Sequence, residues 1–79
     1  MPAEYQRVYD GVVQQIADGA DGYRPGDRLP TIAELADEYG VSQTTTKTAL
    51  TLLGRDGWTR GVQGKGTFVA DRPPRVSTD

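Results

Sequence analysis

The sequence predicts a mainly α domain with a small β-hairpin: three helices followed by two short strands. Three observations carry that expectation. Apolar residues recur at three- and four-residue steps in three separate stretches between residues 3 and 55. Glycines and capping residues punctuate those stretches at Gly19, at Thr31 and across Gly40-Val41-Ser42. After Gly57 the apolar period shortens to two, on either side of Gly64-Lys65-Gly66.

The first helix is expected from about Ala3 to Ala17. Tyr5, Val8, Val12 and Ile16 form one apolar stripe, with Gln6, Asp10 and Gln14 off it. Gly11 lies inside this helix, where glycine is a poor former. Gly19 and Gly22 stop it, Pro25-Gly26-Asp27 marks a turn, and Arg28-Leu29 reads as a brief extended connector into Pro30. Thr31-Ile32-Ala33-Glu34 has the spacing of a capping box, in which hydroxyl and carboxylate satisfy free amides at a helix start. Ile32, Leu35, Ala36 and Tyr39 then share a face, and Gly40 ends the second helix. Ser42 is a good N-cap for a third helix over about Gln43 to Arg55. Two short helices joined by a glycine-containing turn make a helix-turn-helix.

On the third helix, Thr46, Ala49, Leu50 and Leu53 fall on one arc, and Thr44, Lys47, Thr48 and Thr51 on the opposite one. Thr46 stands where the core stripe wants an apolar group, so its hydroxyl is expected to bond an upstream carbonyl. Asp56-Gly57 closes the helix. Trp58 to Gln63 alternates as a strand, Gly64-Lys65-Gly66 turns, and Thr67 to Ala70 returns. Trp58, Phe68, Tyr39 and Tyr5 are read as core residues rather than stacking platforms. The whole is a three-helix winged helix-turn-helix over residues 1–70, with 71–79 as a linker or disordered tail.

Composition narrows the function. With 79 residues there is room for one domain. Neither cysteine nor histidine is present. That removes disulfides, thiolate and imidazole metal sites, and the Ser-His and Cys-His nucleophile pairs. No metal, cofactor or enzyme activity is therefore expected. No apolar run approaches the length of a membrane span and no signal-peptide pattern opens the chain, so a soluble cytoplasmic protein is expected. The net charge is −2, yet it is unevenly distributed. Residues 1–41 hold three basic against eight acidic side chains, and residues 42–79 hold six basic against three acidic. Such polarity lets a positive face steer toward phosphates despite an acidic back.

The outer arc of the third helix carries three threonines, one lysine and no acid, so it can approach a polyanion without repulsion. Ordinary solvated helices mix both signs for pairing. In a helix-turn-helix, Gln43 can bond adenine N6 and N7 in the major groove, Thr44 and Thr45 can meet phosphates or a thymine methyl, and Lys47 a phosphate. Thr31 and Ser42, at the starts of their helices, join this candidate set. The plainer reading makes all six polar residues solvation of helix starts. In the wing Gln63-Gly64-Lys65-Gly66, two glycines allow close approach to a sugar-phosphate rail while the lysine reaches a groove. An ordinary solubilised hairpin is the alternative there. Gly64-Lys65-Gly66-Thr67 superficially resembles a phosphate-binding loop but lacks its spacing and upstream strand.

Taken in order, these segments resemble the N-terminal domain of the gluconate-repressor (GntR) family of bacterial transcription factors, over about residues 5–70. The resemblance rests on Tyr5 and Ile16-x-x-Gly19, Pro25-Gly26-Asp27-Arg28-Leu29-Pro30, Glu34-Leu35-Ala36 and Gly40-Val41-Ser42. It continues through Thr44-Thr45, Ala49-Leu50, Asp56-Gly57 and Gly64-Lys65-Gly66-Thr67-Phe68-Val69. It implies a nucleoid-associated regulator of transcription, expected to repress. The third helix would enter the major groove of a double-stranded, palindromic DNA operator, and the wing would reach the minor groove. It also implies an effector ligand only where a C-terminal domain exists, and for these residues alone a monomer or weak homodimer. The sequence departs from the family where Gln43 and Lys47 replace arginines and where Thr31-Ile32-Ala33 replaces Ser-Glu-Arg. The loop from Gly19 to Pro25 is also about two residues longer than usual in the family. The competing function is a winged-helix protein-interaction module docking through its acidic half. Salt dependence separates the two, because phosphate contacts weaken steeply with salt.

Overall fold

A computed structural model describes residues 3–74. The helices are α1 (Glu4–Asp18), α2 (Ile32–Tyr39) and α3 (Gln43–Arg55), and the strands are β1 (Thr59–Val62) and β2 (Gly66–Val69). In α1, Val8, Val12 and Ile16 are buried as the stripe requires, but Tyr5 is 36% exposed. Tyr5 lies on the rim of α3, beside Thr44, Thr45 and Thr48, so the core begins one turn later than its spacing implies. Of the other expected core aromatics, Trp58 is buried and Tyr39 and Phe68 are half-buried.

The capping box of α2 forms as expected: Thr31 Oγ1 accepts the Glu34 N–H at 3.1 Å and Glu34 Oε1 accepts the Thr31 N–H at 2.9 Å. Hydrogen bonding of the carboxylate by Thr31, through its backbone N–H first and its side chain second, holds the Glu34 carboxyl below its ordinary range, more than the nearby Arg28 charge does. Gly40, at φ 65°, ends the helix, and the Val41 N–H returns to Ala36 O at 3.0 Å. Only two residues then separate this cap from α3, the short connection of a helix-turn-helix. Thr46 is wholly buried on the inner arc of α3, and its hydroxyl donates to Ser42 O at 3.1 Å. A polar atom in the core is thus satisfied locally.

The hairpin pairs Thr59 with Val69 and Val62 with Gly66, antiparallel. The extended connector before α2 does more than join elements. Gly26 N–H donates to Val69 O, Val69 N–H to Asp27 O and Leu29 N–H to Thr67 O, at 3.0, 2.8 and 2.8 Å. Arg28 thereby bridges Phe68, and β2 has a partner on each edge. The loop before it also folds inward. Tyr23 is buried, which pushes its phenol up to about 12. Past β2, residues 71–74 carry no regular structure and Pro74 rests against Gly57. The expected linker over 71–79 lies outside the described residues from 75 onward.

Gly11, in the middle of α1, has a packing reason. A Cβ there would stand 2.7 Å from Cε1 and Cζ of the Tyr39 ring, well inside contact distance. The Arg7 guanidinium reinforces the crossing by donating to Tyr39 O, at the end of α2, at 3.1 Å. Replacing glycine by alanine in a helix ordinarily gains about 1 kcal/mol, but overpacking costs about 1–3 kcal/mol. Gly11→Ala is therefore expected to destabilise the domain, while the same change in a Tyr39→Ala background stabilises it. Urea unfolding of the four proteins in this cycle checks the reversal of sign.

Candidate nucleic-acid interface

The start of α3 sorts its polar side chains into committed and free. Ser42 Oγ accepts the Thr45 N–H at 3.0 Å and donates to Thr45 Oγ1 at 2.9 Å, so this pair is first a cap. Thr48 Oγ1 donates to Thr44 O at 3.1 Å and Thr51 Oγ1 to Lys47 O at 2.9 Å. Those two hydroxyls spend their protons on their own helix and present methyls and lone pairs outward. Gln43, Thr44 and Lys47 are exposed, and among the described residues their side chains have no protein partner. They are the donors that the outer arc can offer.

No carboxylate belongs to the outer arc itself. At one edge the first turns of α3 border Glu4 and Tyr5 of α1. At the other, a groove between α3 and the hairpin is lined by Lys47, Thr51, Gly54, Thr59, Gly61 and Thr67. The helix and the wing therefore form two walls of one concave surface. The far end of α3 is a structural corner. There Asp56 accepts from the Tyr9 hydroxyl and pairs with Arg55 Nε at 3.1 Å. The Tyr9 bond first, then Arg55, holds the Asp56 carboxyl below its usual range.

At the wing, Gln63, Gly64, Lys65 and Gly66 are all exposed, and Lys65 N–H closes the turn on Val62 O at 3.0 Å. Its glycines are not equivalent. Around Gly64, at φ 79°, nothing lies within 4 Å of where a Cβ would stand, so its surface is open to an approaching ligand. At Gly66, at φ 119°, a Cβ would meet Arg28 Nε at 3.1 Å. Thr31 lies near this spot, sharing a cleft with Arg28, Gly66 and Thr67. The structure thus groups Lys47 with the wing sheet and Thr31 with Gly66, while Ser42 and Gln43 open α3 and Thr44 and Thr45 border Glu4 and Tyr5 at its other edge. Reading the sequence did not single out Arg28. Its signal was a basic residue in an extended dipeptide leading into a capped helix.

Among the described residues no helix is long and apolar enough to cross a membrane, and no acidic cluster is arranged to hold a metal ion.

Comparison with known proteins agrees with this geometry. The mannosyl-D-glycerate transport/metabolism system repressor of Escherichia coli (strain K12) is 39% identical over 75 residues, covering 95% of this chain and 30% of that protein. The arabinose metabolism transcriptional repressor of Geobacillus stearothermophilus is 36% identical over 76 residues, covering 96% of this chain and 20% of the repressor. The chain thus spans less than a third of the length of these curated relatives. Among solved structures, the AraR DNA-binding domain in complex with operator ORX1 superposes with a TM-score of 0.82 at 36% identity, over 89% of this chain and 82% of that one. A GntR family transcriptional regulator from Listeria monocytogenes gives 0.82 at 25% identity, over 90% and 60%. The model describing bacterial regulatory proteins of the gntR family matches residues 4–69. By sequence and by its winged helix-turn-helix fold, the chain belongs to the gntR family of bacterial regulatory proteins, a family of regulators and not of enzymes.

Proposed function

We propose that this chain binds double-stranded DNA sequence-specifically and so regulates transcription, repressing from a palindromic operator in the cytoplasm, associated with the nucleoid. In this reading α3 enters the major groove and the wing lies at the minor groove. One observation carries it: the outer arc of α3 bears no acid and leaves the donors of Gln43, Thr44 and Lys47 uncommitted, beside a wing tipped by Lys65. The AraR domain solved in complex with operator ORX1, which shares the fold at 36% identity, supports operator DNA as the partner. Thr31 and Ser42 serve as phosphate contacts that double as caps, Thr45 serves as a phosphate contact beside Ser42, and Gln63, Gly64 and Gly66 bring the wing backbone close to the duplex. The 79 residues alone act as a monomer or weak homodimer. Residues 71–79 serve as a linker or tail, and an effector ligand is bound only where a C-terminal domain exists.

Affinity and specificity reside on different side chains. Lys47 and Lys65 act through charge, so alanine at either weakens binding to every duplex and flattens the salt slope by about one. Fluorescence anisotropy across a salt series checks this, and an unchanged slope in both variants contradicts it.

Gln43 differs because its amide can distinguish a base edge. Gln43→Ala is expected to cost about 1–3 kcal/mol on the preferred site while leaving non-specific binding nearly unchanged. Gln43→Arg is expected to shift preference toward guanine at the matching operator position. Selection from randomised duplexes at one salt concentration tests both. A selected motif that stays the same with arginine at this position moves base reading to Thr44, Thr45, the wing or DNA shape.

A further inference from the structure

We propose that Arg28 is a further cation of the DNA interface, seated on the flank of the wing to bind a backbone phosphate. The inference rests on the duplex-binding reading above and adds a contact on a segment outside α3 and the hairpin tip.

Strand register gives the first reason. Arg28 bridges Phe68, and Phe68 pairs with Arg60, so the three side chains lie in one row across the small sheet. Residues alternate faces along a strand. The neighbours Leu29, Val69 and Thr59 are buried, which turns the row outward, and both arginines are exposed. From that row the Arg28 side chain runs toward the wing tip. Its Nε, Nη2 and Cζ lie 3.1, 3.6 and 3.7 Å from where a Cβ on Gly66 would be. The missing side chain of Gly66 is thus the seat of the guanidinium. The wing's two glycines do different jobs: Gly64 leaves the tip open and Gly66 accommodates an arginine.

The second reason is what the guanidinium leaves unused. Arg7 and Arg24, the other cations of the acidic first half, each donate to a backbone carbonyl, of Tyr39 and Gly19 respectively. Arg28 makes no side-chain hydrogen bond and no ion pair among the described residues. Its acidic neighbour Glu34 already spends a carboxylate oxygen on the Thr31 N–H. A planar guanidinium with its donors free, held against a backbone that limits its motion, suits bidentate capture of a phosphate.

Placement supplies the third. Arg28, Thr31 and Gly66 line one cleft. A DNA strand that touches both the start of α2 and the wing must pass over it.

The test compares Arg28→Gln and Arg28→Lys with wild type and with Arg55→Gln, a cation paired at the far end of α3. Binding to one duplex is followed by anisotropy over a salt series, and melting temperature is measured for each protein. Arg28→Gln is expected to weaken binding several-fold and flatten the slope of log K against log salt by about 0.9, with melting unchanged. Arg28→Lys keeps the slope, and so does Arg55→Gln. A wild-type slope in Arg28→Gln overturns the inference while leaving duplex binding intact. Equal loss in both Arg28 variants together with lowered melting also overturns it, as a purely structural role. If wild type shows no salt-dependent binding, the duplex-binding reading fails first and this one with it.

Discussion

Strand β2 is hydrogen-bonded along both edges, to β1 on one side and to the backbone of Gly26, Asp27 and Leu29 on the other. A two-stranded hairpin in water is marginal by itself, and this one pairs only four residues on each side. The added edge ties it to the loop between α1 and α2, and Leu29 and Val69 are buried at that junction with Trp58 and Tyr23. Remove these bonds and the wing loses its tie to the loop before α2, keeping only its attachment to the end of α3 through Trp58. With them, the groove lined by Lys47 and Thr67 keeps its width, and the start of α2 keeps its place beside Gly66.

The second requirement is that α3 bury one arc fully and leave the other bare. Ala49, Leu53 and Thr46 fill the inner arc, and the Thr46 hydroxyl is satisfied by Ser42 O. Gly40 and Ser42 set where the helix begins, and so which side chains occupy its first exposed turn. Thr48 and Thr51 bond their own helix, so the uncommitted polar side chains at this end of α3 are those of Gln43, Thr44 and Lys47. Short hydroxyls that return to the backbone keep the surface polar and uncharged without offering competing donors.

Features determined within one turn of chain were legible in the sequence. The Thr31–Glu34 box, the Gly40 stop, the Ser42 cap and the Thr46 back-bond each depend on residues three or four apart. What escaped depends on contacts between distant segments. Arg28-Leu29 read as a connector because the bridge partner of Arg28, Phe68, lies forty positions further along the chain. Tyr23 sat in a polar, glycine-rich loop with no periodicity to mark it as core. Tyr5 shared the stripe of Val8 and Val12 but falls beyond the edge of the packed surface. Gly11 read as a weak helix residue because its reason is the Tyr39 ring of another helix. At the site, the residue types on α3 and the wing were visible. Which hydroxyls remain free, and the approach of Arg28 to Gly66, required the tertiary fold.

The sequence carries more acid than base, yet the surface formed by the start of α3, the wing and Arg28 contributes cations, while most acids of the first half lie on α1, α2 and their loop. If this division is functional, a duplex should contact one face only. Backbone amide shifts of the 15N-labelled domain, titrated with duplex DNA at moderate salt, test that most directly. The account predicts that changes cluster on Gln43–Lys47, Gln63–Gly66 and Arg28–Thr31, and that the outward positions Asp10, Gln14 and Asp18 of α1 stay still. Changes centred on α1, with the wing and the start of α3 unmoved, would contradict it.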